Sequence, residues 1–153
     1  MIHRLFYLLL ILFINSNYAF GQFSIEGFFS EGWDISSANL KGMYPDKKIE
    51  EKEIMNSKAF SFYDWIKPVS IKVVYLFSSK GILKNKMISN SLRNEEAKEK
   101  LVDLLKQWLI KNYGKNFTEN TFFGTKNLLW VVEGKMSITL SESGDKTVLT
   151  LSK

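Results

Sequence analysis

The chain has no cysteine and a single histidine, His3, and the stretch around His3 has the layout of a segment that is removed. Residues 1–22 read MIHRLFYLLLILFINSNYAFGQ. His3 and Arg4 give a positive start, Leu5 to Ile14 is an unbroken apolar run, and Ala19 and Gly21 set small residues before a cut at Gly21/Gln22. That is the order of parts in a secretory signal peptide. A membrane span needs about 20 apolar residues, and Asn15, Ser16 and Asn17 interrupt this run too early. We therefore expect residues 1–21 to be a signal peptide and residues 22–153 to form one exported domain, periplasmic or secreted. Without a thiol there is no cysteine to carry a lipid, so no stable membrane insertion is expected after cleavage.

Removal of the leader leaves neither imidazole nor thiol. Serine triads with a histidine base and thiol nucleophiles are then excluded. So are zinc sites built on imidazole and thiolate, and the usual ligands of haem and iron–sulfur clusters. The nine glycines are scattered and make no phosphate-cradling loop, and no acidic run has the spacing of a calcium loop. No cofactor and no metal is expected. Carboxylate, lysine, tyrosine and hydroxyl chemistry remain. The absence of disulfides requires the core to hold the fold alone, and a domain of this length buries about two thirds of its unfolded surface.

The excess of charge of one sign is also small. The formal net charge is +5, and Arg4 is the only charged residue within 1–21, which leaves +4 beyond the leader. Lysines alternate with glutamates, as in DKKIEEKE, and do not gather on one stretch. Nucleic-acid binders concentrate basic residues and interleave them with stacking aromatics, so no nucleic-acid partner is expected.

Regular patterning is plentiful. Ala97, Leu101, Leu104, Leu105, Trp108 and Leu109 recur at the helical period. Ser91 or Asn94 caps the start, Glu95 and Glu96 suit the first turn, and Gly114 suits the position past the end. The spacing predicts a helix over about 94–113. Before it, Val69, Ile71, Val73, Tyr75 and Phe77 alternate with smaller or polar residues, and Ser79-Lys80-Gly81 supplies a turn. The return strand is expected to set Leu83 and Met87 on one face and Lys84 and Lys86 on the other. KAFSFYDWI reads as a further strand ahead of Pro68, and NLLWVV, KMSITL and KTVLTLS as three more after the helix. FSIEGFF reads as a short strand, ANLKGM as a short helix capped by Ser36 or Ser37, and Tyr44 to Met55, polar and carrying Pro45, as a loop or a poorly ordered helical turn. The fold class expected is α+β: an antiparallel sheet of five or six strands with one long helix, about 94–113, packed on one face.

Four stretches carry candidate chemistry. EGWDISS sets Trp33 between Glu31 and Asp34, either as a ligand corner or as a capped helix start. FSFYDW puts Asp64 among aromatics, either as a buried acid or as a strand-end carboxylate facing water. Lys72, Lys84 and Lys86 read as a positive outer face or as protection against edge aggregation. NYGKNFTENTFFG is a long connection carrying Phe117, Phe122 and Phe123, which either tuck under the sheet or await a partner. Phe117, Phe122, Phe123, Trp33 and Asp64 are the candidate binding residues, and no catalytic residue is assigned.

The hairpin VVYLFSSKGIL, the helix ending in Tyr113-Gly114, and the strands LLWVV, ITL and VLTL resemble the layout of a group of small exported bacterial α+β proteins of uncharacterised function. The resemblance covers roughly residues 57–153 and implies a fold and a compartment but no site residue. The expectation is an exported, non-enzymatic protein that binds an envelope or secreted macromolecule, its oligomeric state open. One alternative is a small apolar-ligand carrier with a pocket lined by Trp108, Trp130 and Tyr75. The other is a hydrolase using Glu31, Asp34 or Asp64.

The compartment is directly testable. Protein purified from its native host should begin at Gln22 by N-terminal sequencing or intact mass; a chain that still begins at Met1 overturns the expectation.

Overall fold

The structure, a computed structural model, describes residues 23–134 and 136–153. The expected signal segment, 1–21, lies outside the described residues. The elements run α1 (Ile25–Ser30), α2 (Ser37–Met43), β1 (Glu50–Ile54), β2 (Ser57–Ile66), β3 (Val69–Ser78), β4 (Leu83–Asn90), α3 (Glu95–Tyr113), β5 (Thr118–Phe122), β6 (Thr125–Val132), β7 (Met136–Ser143) and β8 (Lys146–Ser152).

All strand pairs are antiparallel, in one sheet of order β1-β2-β3-β4-β8-β7-β6-β5. The sheet is two four-stranded meanders joined edge to edge where β4 meets β8. Buried Asn90 fastens one end of that seam. Its amide donates to Leu92 O (2.7 Å) and Asp145 O (2.9 Å), and its carbonyl accepts from Thr147 N–H (2.8 Å).

Eight strands correct the expected five or six. The two additions are the edges. β1 (EEKEI) and β5 (TENTF) are exposed at every position, so neither shows the alternation by which a half-buried strand is recognised. A second correction concerns FSIEGFF. It forms helix α1, because Ser24 Oγ accepts from Gly27 N–H (3.1 Å) and caps it, and only Phe28 of its helical residues is buried.

α3 connects the middle of the sheet to its far edge. It is about 28 Å long at 1.5 Å per residue, and it lies across β3, β4, β8 and β7. Asn94 caps it through Oδ1 (2.7 Å from Ala97 N), and Gly114, at φ 79°, ends it by donating its N–H to Ile110 O. Leu101, Leu105 and Leu109 enter a core formed by Ile71, Val73, Ile138, Leu140, Leu149 and Leu151, all wholly buried. The remaining cover comes from α1 and α2, whose Phe28 and Leu40 reach the same core.

Between β3 and β4 the register shifts. Leu76 faces Asn85, whereas Phe77 faces Leu83, and Lys84 has no opposite residue. This bulge reverses the alternation beyond it. Leu83, Lys86 and Ile88 therefore share the covered face, and Met87 moves to the other one. The expected grouping of Lys86 with Lys84 on an outer face does not occur, since Lys86 is 0% exposed.

Leu105 sits at the centre of the helix–sheet contact. Leu105→Ala should cost about 2–5 kcal/mol in urea unfolding, while Lys106→Ala, outside the buried stripe, should change stability by less than about 0.5 kcal/mol.

Candidate functional site

Among the described residues, the three helices lie on one side of the sheet and none covers the other side. One row of paired residues crosses it from edge to edge: Glu50, Ser61, Val74, Met87, Thr150, Thr139, Leu129 and Thr118. The next row runs Tyr63, Lys72, Ser89, Val148, Ser141, Asn127 and Asn120. At about 4.8 Å per strand the face is about 34 Å wide. Its middle is aliphatic and hydroxyl-bearing. Tyr63 and Trp65 stand exposed on it, with Lys72 Nζ 5.4 Å from the Tyr63 ring. The charged groups in these rows are Glu50 at the edge and Lys72.

On the covered side, α1 is clamped to the sheet by Lys86. Its ammonium donates to Phe28 O (2.5 Å) and Glu31 O (3.1 Å), which are carbonyls at the end of α1. It lies 5.0 Å from the Phe28 ring centroid, 5.3 Å from that of Trp33, and 3.9 Å from Glu31 Oε2. Glu31 accepts hydrogen bonds from the Tyr44 hydroxyl and from the Tyr75 hydroxyl (2.6 Å), and the two hydroxyls are 3.0 Å apart. One carboxylate and one ammonium thus tie α1 to β3, β4 and the segment after α2.

Beside this cluster is a cleft of about 220 Å3 whose lining includes Phe23, Glu31, Tyr44, Asp46, Lys47 and Asp64. Asp64 is 7% exposed. Its Oδ1 accepts from Trp65 N–H (2.8 Å) and its Oδ2 faces Lys47 Nζ (3.1 Å), which also lies 3.5 Å from Asp46. Of the carboxylates proposed from sequence, Glu31 and Asp64 share this cleft, and Asp34 is exposed outside its lining. Trp33 leans on the Lys86 clamp and does not line the cleft. Of the tryptophans and tyrosine proposed to line an apolar pocket, Trp130 and Tyr75 are buried in the core. Trp108 packs on Phe29 with ring centroids 4.3 Å apart.

The connection after α3 is a hairpin. Phe117 packs on Trp130 (4.8 Å between ring centroids), while Phe122 and Phe123 sit exposed at the tip, 4.3 Å apart. Phe123 and Gly124 both have positive φ, 47° and 76°. That turn favours Asn-Gly, and a bulky residue there is strained.

No family model, no curated protein and no solved structure matches this chain.

The site is therefore read from its own chemistry. Among the described residues, no group of three or more His, Cys, Asp or Glu side chains is placed to hold a metal ion. Sequence reasoning missed Tyr44, Tyr75, Lys47 and Lys86 as a polar network. Tyr75 occupies an apolar alternation position, and Lys86 reaches the covered face only through a bulge that composition does not reveal.

The buried groups give the network a pH signature. Burial pulls the Lys86 ammonium from 10.5 down to about 8, with Glu31 opposing. Burial, reinforced by Glu31, pushes the Tyr44 and Tyr75 phenols well above their usual range. Between about pH 8 and 10 the unfolded chain binds more protons at Lys86 than the folded one, so stability rises with pH. Above pH 10 the tyrosines ionise only on unfolding, so stability falls. The maximum should lie near pH 10, with a rise on the order of 2 kcal/mol. In Lys86→Met the rise should vanish and the alkaline fall remain, as urea melts at each pH would read directly.

Proposed function

We propose that this is an exported, non-enzymatic protein that holds an envelope or secreted protein on the open face of its sheet. The single observation behind the reading is the uncovered face itself: a width of eight strands with an aliphatic and hydroxyl middle, edged by exposed Tyr63 and Trp65. Interface centres are depleted of charge and enriched in aromatic residues and methionine, and Met87, Tyr63 and Trp65 fit that composition. Charged polymers such as nucleic acid would be matched by a basic face, which these rows do not form.

A carboxylate-dependent hydrolase is the second reading. It is favoured by Glu31 and Asp64 lining one cleft. Against it, Glu31 is already engaged by two phenols and Asp64 by Lys47, so neither carboxylate is free to meet a substrate without breaking the network that fixes α1.

Tagged mature protein used as bait in envelope extracts should retain a partner that is lost in Met87→Glu and Leu129→Lys, with circular dichroism and melting unchanged. Three outcomes would overturn the reading: a protein retained equally by wild type and both variants, co-purification of a lipid or metabolite alone, or hydrolytic activity abolished by Asp64→Asn.

A further inference from the structure

One end of the open face holds a cleft of about 200 Å3 whose lining gathers three cations, Lys72, Arg93 and Lys146, and no carboxylate. The chain brings them from three separate places. Lys72 stands in β3, in the row that pairs it with Tyr63 and Ser89. Arg93 follows the end of β4, and Lys146 opens β8 on the same face as Val148. From strand spacing and rise, the Lys72 and Lys146 backbones stand about 12 Å apart, and both side chains line the one cleft.

Hydrogen bonds beneath the cleft fix these positions. The Asn90 amide holds the carbonyls of Leu92 and Asp145, the residues just before Arg93 and Lys146. The Asn90 carbonyl accepts from Thr147 N–H, just after Lys146. Ser91 donates to Ser70 through both its N–H (2.9 Å) and its hydroxyl (2.6 Å). The cations therefore project from tied backbone, and their charge is little used. Among the described residues neither Lys72 nor Lys146 has an ion pair, and Lys72 rests 5.4 Å from the Tyr63 ring. Arg93 Nε lies 3.5 Å from Asp145. Ser89 lines the cleft at only 8% exposure, and its hydroxyl has no hydrogen-bond partner among the described residues. Buried hydroxyls are normally paired, so this one points to a ligand in the cleft.

We propose that this cleft binds the phosphoryl group of a small phosphate monoester, or inorganic phosphate itself. Three cations less the one carboxylate, Asp145, leave +2 at the cleft, which matches a phosphate carrying about −1.5 to −2. Two ammoniums, a guanidinium and a hydroxyl donate from several directions. That suits three terminal oxygens better than the two coplanar oxygens of a carboxylate. Tyr63, 55% exposed, offers its ring to the esterified group. This function is additional to the partner proposed above. Met87 and Leu129, which test that partner, lie outside the cleft lining, so the two proposals fail separately.

Purified exported protein titrated with inorganic phosphate should bind with a dissociation constant on the order of 1 mM or below, shifting the amide NMR signals of Ser89, Ser91 and Lys146. Lys72→Gln and Lys146→Gln should each weaken binding about tenfold. Ser89→Ala should weaken it at least about threefold with circular dichroism unchanged. Lys106→Gln, on α3, should change it by less than about twofold. Glycerol phosphate and vesicles of phosphatidylcholine with or without phosphatidic acid separate the sources. Binding of either, lost in Lys72→Gln, supports the site and assigns it to a soluble ester or to a lipid headgroup. Absence of any response to phosphate, ester and vesicles, acetate bound as tightly as phosphate, or equal weakening by Lys72→Gln and Lys106→Gln would overturn the proposal.

Discussion

The hydrogen bonds from Lys86 to Phe28 O and Glu31 O hold α1 against the sheet. α3 is long enough to span the centre, but it leaves β1 and β2 beyond its reach. β2 is covered by short elements with little apolar surface of their own: α1 buries Phe28, and α2 buries Leu40. A six-residue helix has no independent stability. Fixing its last carbonyls to a strand of the sheet supplies what its own hydrogen bonds cannot. The desolvation of the ammonium is offset by two carbonyl acceptors, Glu31, and the faces of Phe28 and Trp33.

In this arrangement a lysine, a glutamate and two tyrosines sit together as one hydrogen-bonded network. Lys86 is fully buried, and its contacts fall on the end of α1 and the residues just after it, Glu31 and Trp33. Glu31 accepts from donors on both sides. The groups complete one another, with Glu31 and Tyr44 also lining the cleft. Asp64 and Lys47 follow the same logic at the cleft wall, where burial of the carboxylate is balanced by a nearby ammonium and a main-chain N–H. Polar groups thus fix the cover on one face, while on the opposite face Tyr63, Lys72, Arg93 and Lys146 line a shallow cleft.

How legible each element was follows from what its residues do. α3 was readable because its stripe at 101, 105 and 109 enters the core and its caps satisfy both ends. β3 was readable because five of its residues alternate into that core. β1 and β5 were not, because an edge strand with no buried side chain has no period to detect; only the backbone ladder defines it. α1 looked like a strand because Phe23, Ile25 and Phe28 are apolar, and its helical state is set by the Ser24 cap and the Lys86 clamp, the second of which is far away in sequence. At the candidate site, Asp64 and Trp33 were visible as residues, but their partners were not. The bulge at Lys84 decides which face Lys86 takes, and a one-residue insertion in a strand leaves no mark on composition.

The two edges also show that local strain alone does not define an interaction surface. Met55 and Phe123 occupy equivalent places, the first position of a two-residue hairpin turn, at φ 52° and 47°, and both are almost fully exposed, at 98% and 92%. Because β1 and β5 run in opposite directions, the two tips stand at diagonal corners of the sheet. What differs is the strand that leads into each. EEKEI surrounds its backbone groups with like charges that repel an approaching strand, whereas TENTF leaves its backbone groups accessible and flanks them with phenylalanine. The same unfavourable turn residue thus follows a highly charged edge strand at one corner and a nearly uncharged one at the other. The adjoining strands, five residues long in each case, differ in charge: EEKEI carries four charged residues and TENTF one.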